Sequence, residues 1–162
     1  MVRTVHQSGG IFMTYQIEHM TAGRAMSMRH TGPYGPGNHA LMKTFKEWVR
    51  ANGLFTDSAV ILGISQDDPR TTPPERCRYD VCILVSDDHL QTDTTVTELL
   101  LSGGKYAVFS IPHTAEAVQK AWNDIFPQLA ADGLTLDPSR PILERYVPAM
   151  LQKHLCKICA PV

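Results

Sequence analysis

Glu144, in the run Pro141-Ile142-Leu143-Glu144-Arg145-Tyr146-Val147, carries the clearest chemical potential in this chain. The run reads as a strand, and strand alternation puts Ile142, Glu144 and Tyr146 on one face and Leu143, Arg145 and Val147 on the other. A carboxylate on an inward face needs a cation, hydrogen-bond donors or a raised pKa, because burying it alone is costly. The sequence leaves two answers open. Glu144 pairs with Arg145, Arg78 or Lys105, or faces water on an edge strand. Alternatively a ligand supplies the charge, and aromatic faces from Tyr79, Trp48, Tyr146 and Trp122 then suit a lipophilic cation. Trp48 and Trp122 lie on helical stripes, where core packing is the commoner role. Tyr34, in the loop His30-Thr31-Gly32-Pro33-Tyr34-Gly35-Pro36-Gly37, either lines a rim or packs there.

The cysteines invite a metal reading, since Cys156 and Cys159 form a C-x-x-C and Cys77 lies five residues before Cys82. Both pairs fall in strand-like segments, where an odd offset sends side chains to opposite faces, so reduced core thiols are expected and no metal site. The Gly32–Gly37 loop holds too many prolines to donate successive backbone N–H groups to a phosphate. No cofactor is expected.

With 15 basic and 16 acidic residues and a formal charge of −1, the chain lacks the electrostatic footprint of a nucleic-acid binder. No stretch has the apolar length of a membrane span, and the first residues lack the apolar core of a signal peptide. The expectation is a cytoplasmic protein without direct nucleic-acid or membrane partners. Residues 1–12 read as a flexible lead, with Gly9-Gly10 before Met13 opens the first patterned segment, and 13–162 as one domain.

What must position Glu144 is an internal echo with a period of about 80 residues. The segment from Gly23 to Thr31, followed by a helical pattern ending at Gly53-Leu54, is matched by Gly104 to Thr114 and a helical pattern ending at Gly133-Leu134. Met26 and Met28 form the inward face of the first copy, Phe109 and Ile111 that of the second. Asn38 is placed to cap a helix presenting Leu41, Phe45, Trp48 and Val49, and Thr114 one presenting Val118, Ala121, Trp122, Ile125 and Leu129. Gly53 and Gly133 supply the left-handed closing residue, while Pro127 should kink or break the second helix near Phe126. Strands are expected near 14–20, 23–30, 59–65, 78–85, 94–101, 104–111, 141–147 and 154–161, joined by short turns such as Leu101-Ser102-Gly103-Gly104. Tyr79, Val81, Ile83 and Val85 form one apolar face. An ungapped count from the two closing glycines sets Ile64 as the counterpart of Glu144. The fold class is therefore α+β: two pseudo-symmetric strand-helix-strand-strand units, mainly antiparallel, with two helices flanking a ligand groove.

Four motifs then occur in order: His30-Thr31-Gly32-Pro33-Tyr34; Asp67-Asp68-Pro69 with Thr72-Pro73 and Arg78-Tyr79-Asp80; Gly103-Gly104-Lys105-Tyr106-Ala107-Val108; and Pro141-Ile142-Leu143-Glu144-Arg145-Tyr146. Together they resemble the bacterial GyrI-like proteins and the effector-binding domains of AraC-type regulators, over about residues 13–162. The resemblance implies a cleft whose acidic residue, matching Glu144, binds cationic aromatic compounds. It carries aromatic lining residues over to Tyr79, Trp48 and Tyr146, and less directly to Trp122 and Tyr34. No helix-turn-helix unit precedes the domain in this sequence, so direct DNA reading is not expected. Three functions follow as expectations. The first is a stand-alone module that binds or sequesters hydrophobic cationic small molecules. The second is a hydrolase of cyclopropane-bearing alkylating compounds, with Glu144 and Tyr79 or Tyr146 as base and acid. The third is inhibition of DNA gyrase, or contact with a regulator, through a protein interface.

Overall fold

The computed structural model describes residues 2–4, 14–89 and 93–162. Its elements run β1 (Val2–Thr4), β2 (Thr14–Met20), β3 (Gly23–Thr31), α1 (Pro36–Ala51), β4 (Ile61–Ser65), β5 (Arg78–Val85), β6 (Thr97–Leu101), β7 (Gly104–Pro112), α2 (Ala115–Ala131), β8 (Leu143–Tyr146), α3 (Pro148–Gln152) and β9 (Leu155–Pro161), with a 3₁₀ turn at Pro74–Arg76. This is an α+β chain of antiparallel strand pairs, as the alternation implies. Of the expected flexible lead, Val2–Thr4 forms a strand paired with Thr14–Gln16; the remaining lead residues lie outside those described.

The chain divides into two compact units, a continuous one over 22–102 and a split one made of 1–21 and 103–162. In the continuous unit the strand order is β4-β5-β3-β6. In the split unit it is β8-β9-β7-β2-β1. Each order is a central pair flanked by the strand that follows the helix and by one strand from elsewhere in the chain. The pseudo-symmetry is therefore real, but the turn Leu101-Ser102-Gly103-Gly104 does not close a hairpin. It hands the chain from one unit to the other, because β6 is committed to β3 by a five-residue ladder and by the forked Arg24–Glu98 ion pair at 3.0 and 3.1 Å. Local turn chemistry cannot report this choice, since strand pairing is decided by which edges meet.

Both long helices close as the sequence implies. The Gly53 and Leu54 amides bond to Arg50 and Val49, and the Gly133 and Leu134 amides to Ala130 and Leu129. These are paired Schellman motifs, with Gly53 at φ 67° and Gly133 at φ 72°. Thr114 accepts the Ala117 amide at 3.1 Å and caps α2. Thr114→Ala should cost about 1 kcal/mol in urea unfolding with an unchanged m-value.

One expected helix signal fails, and of the two outcomes expected at Pro127 the break does not occur. The α1 helix begins at Pro36 with Gly35 as its cap residue, so Asn38 lies inside the first turn rather than capping it. Proline at the first helical position is already set at the helical φ and has no N–H to satisfy, which starts the helix earlier than the sequence pattern does. Pro127 does not break α2, which continues to Ala131; the apolar stripe through Ile125 and Leu129, 1 % and 2 % exposed, outweighs one lost hydrogen bond.

Strand β4 is buried on both faces, with Ile61, Leu62, Gly63 and Ile64 all inside. Alternation therefore cannot say which of its faces meets the helix. The four cysteines are buried free thiols. Burial pushes the Cys82 thiol up to about 12 and those of Cys156 and Cys159 up to about 11. A thiol raised in the fold contributes stability that is complete below its unfolded pKa, near 8.5, and is lost as pH climbs towards 11. Stability should thus fall steadily above about pH 8.5. At pH 8 Ellman's reagent should react with the four cysteines only after denaturation; rapid reaction in the native state would contradict the burial.

Candidate functional site

The register places Glu144 more firmly than its own strand does. Tyr15 of β2 lies opposite Phe109 of β7, Phe109 opposite Ile158 of β9, and Ile158 opposite Glu144 of β8. Directly opposed residues in antiparallel strands share a face, so these four side chains form one row across the split unit. The Tyr15 and Phe109 rings lie 4.8 Å apart, and the Tyr15 hydroxyl donates to Asp132 at the end of α2. Glu144 therefore projects from the face on which α2 lies.

This row corrects the counterpart drawn from the glycine count. Strands β3 and β7 both span nine residues and open on Gly23 and Gly104. Aligned on those glycines, the row Phe109–Ile158–Glu144 matches Met28–Val81–Gly63. Ile64 instead stands opposite Asp80, which stands opposite Arg29, on the other face. Gly63 lies 10 positions after Gly53 and Glu144 lies 11 after Gly133, and a difference of one reverses side-chain parity. The pseudo-symmetric partner of Glu144 is thus a glycine. An added Cβ on Gly63 would fall 2.3 Å from the Tyr79 hydroxyl, so the phenol occupies the space a side chain would take.

Glu144 is half-buried and accepts a hydrogen bond from the hydroxyl of Tyr146, whose side chain is nearly enclosed at 8 % exposure. The Tyr146 ring meets the imidazole of exposed His113, centroid to centroid 5.3 Å. Cys156 shares the site's surroundings, its thiol raised by burial first and by the Glu144 charge second. Two of the basic neighbours considered from sequence have other carboxylates. Arg145 forks onto Glu18 at 3.1 and 3.4 Å, and Arg78 onto Asp67 at 2.9 Å. Trp122, half-buried on α2, has its ring 6.4 Å from Phe126 one turn on.

The continuous unit holds the other aromatic candidates. Tyr79 is 5 % exposed, with the Tyr34 ring edge-on at 6.5 Å. The Tyr34 hydroxyl lies 2.8 Å from the Arg78 carbonyl and 3.0 Å from that of Asp67, and accepts the Asp67 amide at 3.2 Å. Burial holds its phenol above the usual range. Tyr34 thereby anchors the loop between β4 and β5 to the turn before α1. Trp48 donates its indole N–H to Asp93 at 2.7 Å and stacks on Phe45 at 5.9 Å. Its polar edge is thus already engaged, a commitment no helical stripe reveals.

Sequence reasoning passed over His113 and Gly63. The signal for His113 was available, because the residue just before a helix cap is fixed by the helix start. Gly63 inside an apolar strand marks a close approach, here by a tyrosine. A separate hollow of about 450 Å³ near the end of α2, walled by Phe126, Leu134 and Leu136 among others, includes none of the candidate residues and no charged side chain. Among the described residues no cluster of three metal-ligating side chains occurs, and no helix is long and apolar enough to cross a membrane.

Comparison with known proteins agrees with this architecture. The chain is 43% identical to the SPbeta prophage-derived putative transcriptional regulator YosT of Bacillus subtilis, covering 93% of this chain and 99% of that protein. It is 27% identical to DNA gyrase inhibitor 1 of Dickeya dadantii over 83% of this chain and 88% of the relative. Among solved structures, SAV2435 bound to tetraphenylphosphonium superposes with a TM-score of 0.59 at 18% identity, over 93% of this chain and 94% of that one. EcmrR in complex with DNA gives 0.71 at 13% identity, and here the chain spans 91% of itself but 56% of the larger protein. The model of the GyrI-like small-molecule-binding domain matches residues 13–162. With the repeat, the strand order and this match in agreement, the chain belongs to the GyrI-like small-molecule-binding domain family.

Proposed function

We propose that this domain binds hydrophobic cationic small molecules, with Glu144 supplying the charge and Tyr146 its first aromatic wall. The observation that carries the reading is a carboxylate held by a tyrosine hydroxyl in a row otherwise made of Tyr15, Phe109 and Ile158. Such a group is desolvated enough to prefer a cation, yet half-open so that one can reach it. The bond from Tyr146 lowers the cost of keeping Glu144 ionised while empty. That a protein of the same fold holds tetraphenylphosphonium supports the ligand class. Trp122 of the same unit is proposed to extend this site, and Trp48, Tyr79 and Tyr34 are proposed ligand residues of the continuous unit, each to be tested by its own substitution. Titration of the protein at pH 8 with tetraphenylphosphonium and with neutral triphenylphosphine oxide, followed by tryptophan fluorescence, tests the reading. The cation should bind at least about tenfold more tightly; equal affinities would sink it.

The contact between Tyr146 and Glu144 also favours a second reading, hydrolysis of cyclopropane-bearing alkylating compounds, because a phenol and a carboxylate in direct contact are an acid and a base within one proton transfer. Turnover of such a substrate by the parent, lost in both Glu144→Gln and Tyr146→Phe, would establish it. Binding without turnover leaves the first reading standing alone.

A further inference from the structure

We propose that His113 is a ligand-contacting residue of the Glu144 site and sets its selectivity: neutral, it extends the aromatic wall begun by Tyr146; protonated, it opposes a bound cation. This inference rests on the cation-binding reading above and deepens it.

The three side chains are contiguous, with the Tyr146 ring between the imidazole and the carboxylate. His113 is exposed, its ring lies 5.3 Å from that of the nearly enclosed Tyr146, and Tyr146 donates to half-buried Glu144. A planar ligand that extends along the Tyr146 ring from the carboxylate comes within reach of the imidazole. Nor is His113 free to withdraw. Its amide donates to the His154 carbonyl at 2.7 Å, while the next residue, Thr114, is fixed as the cap of α2 by its bond to the Ala117 amide. Backbone anchored on both sides is what distinguishes a binding-site histidine from a loose surface one.

The ring has two chemistries. A neutral imidazole offers an aromatic face to an organic cation, much as tyrosine does. An imidazolium puts a positive charge on the same wall, and histidine is the side chain whose ordinary titration falls between pH 5 and 8. By position in the fold, the titratable groups around it are Tyr146, in ring contact with it, and Glu144 from β8; Cys156 from β9; His154 from the turn before β9; and Glu116 from the first turn of α2. His154 is the other histidine of this group, so the test separates the two. Across a half-solvated gap one added charge weakens cation binding by about three- to tenfold and leaves a neutral ligand nearly unaffected.

The test titrates parent, His113→Phe and His113→Ala with tetraphenylphosphonium and triphenylphosphine oxide at pH 5.5 and pH 8. Parent affinity for the cation should rise about three- to tenfold with pH. His113→Phe keeps a ring without the charge, so the ratio of its affinities at pH 8 and pH 5.5 should lose most of that rise. Any rise that remains in His113→Phe belongs to ionisation of Glu144 or to His154, which a His154→Gln variant separates. His113→Ala should bind both ligands several-fold more weakly at pH 8. A parent pH profile unchanged in His113→Phe overturns the role of His113 while leaving the cation reading intact. Absence of charge preference in the parent at pH 8 overturns both.

Discussion

Glu144→Gln should weaken binding of tetraphenylphosphonium by about 10- to 100-fold while changing the affinity for triphenylphosphine oxide by less than about threefold. The magnitude follows from opposing terms. A charge pair at contact is worth about 4 kcal/mol at the effective dielectric of a partly buried site, and desolvation of the carboxylate takes back a substantial part. What remains, about 1.4 to 2.7 kcal/mol, corresponds to the stated range. The substitution isolates charge because the glutamine carbonyl can still accept from Tyr146, which preserves the local geometry. Thermal unfolding of the variant should therefore stay near that of the parent. An equal loss for the cation and the neutral compound would mean that Glu144 shapes the site without attracting charge.

Arg29→Met should destabilise the domain by about 3 kcal/mol, the largest expected loss from a single surface-reaching side chain. Arg29 forks onto Asp80 at 2.7 and 2.8 Å, and the Asp80 side chain is only 3 % exposed whereas that of Arg29 is 47 % exposed. Losing the cation strands a carboxylate inside the continuous unit with Gln66, at 3.0 Å, the one side chain among the described residues still donating to it. The cost sits at the low end for broken buried pairs, because water screens the outer half of this one. Adding Asp80→Asn to Arg29→Met should restore much of the loss, since no stranded charge then remains. Urea unfolding of the two single variants and the double variant gives the coupling directly. A double variant as unstable as the sum of the singles would assign the effect to packing of the arginine stem.

The sequence by itself determined the two long helices, the strands around them, their repeat and the carboxylate on β8, but not α3 or the strand at Val2–Thr4. Helix ends were legible because Gly53, Gly133 and Thr114 act through bonds to residues within one turn. The α+β class followed from strand alternation interrupted by two helical stripes, and Glu144 with Tyr146 from their spacing on one strand, which the structure turns into a direct contact. Tertiary structure decided the rest. It sends β6 to β3 and β7 to β2, so the two strands joined by Ser102-Gly103 serve different units. It aligns Glu144 with Gly63 rather than Ile64, and engages Trp48 with Asp93 and Tyr34 with the backbone of Asp67 and Arg78. The physical reason is common to all three. Caps and turns are settled by hydrogen bonds over a few residues, whereas strand partners, side-chain faces and the partners of long polar side chains depend on groups far apart in the chain.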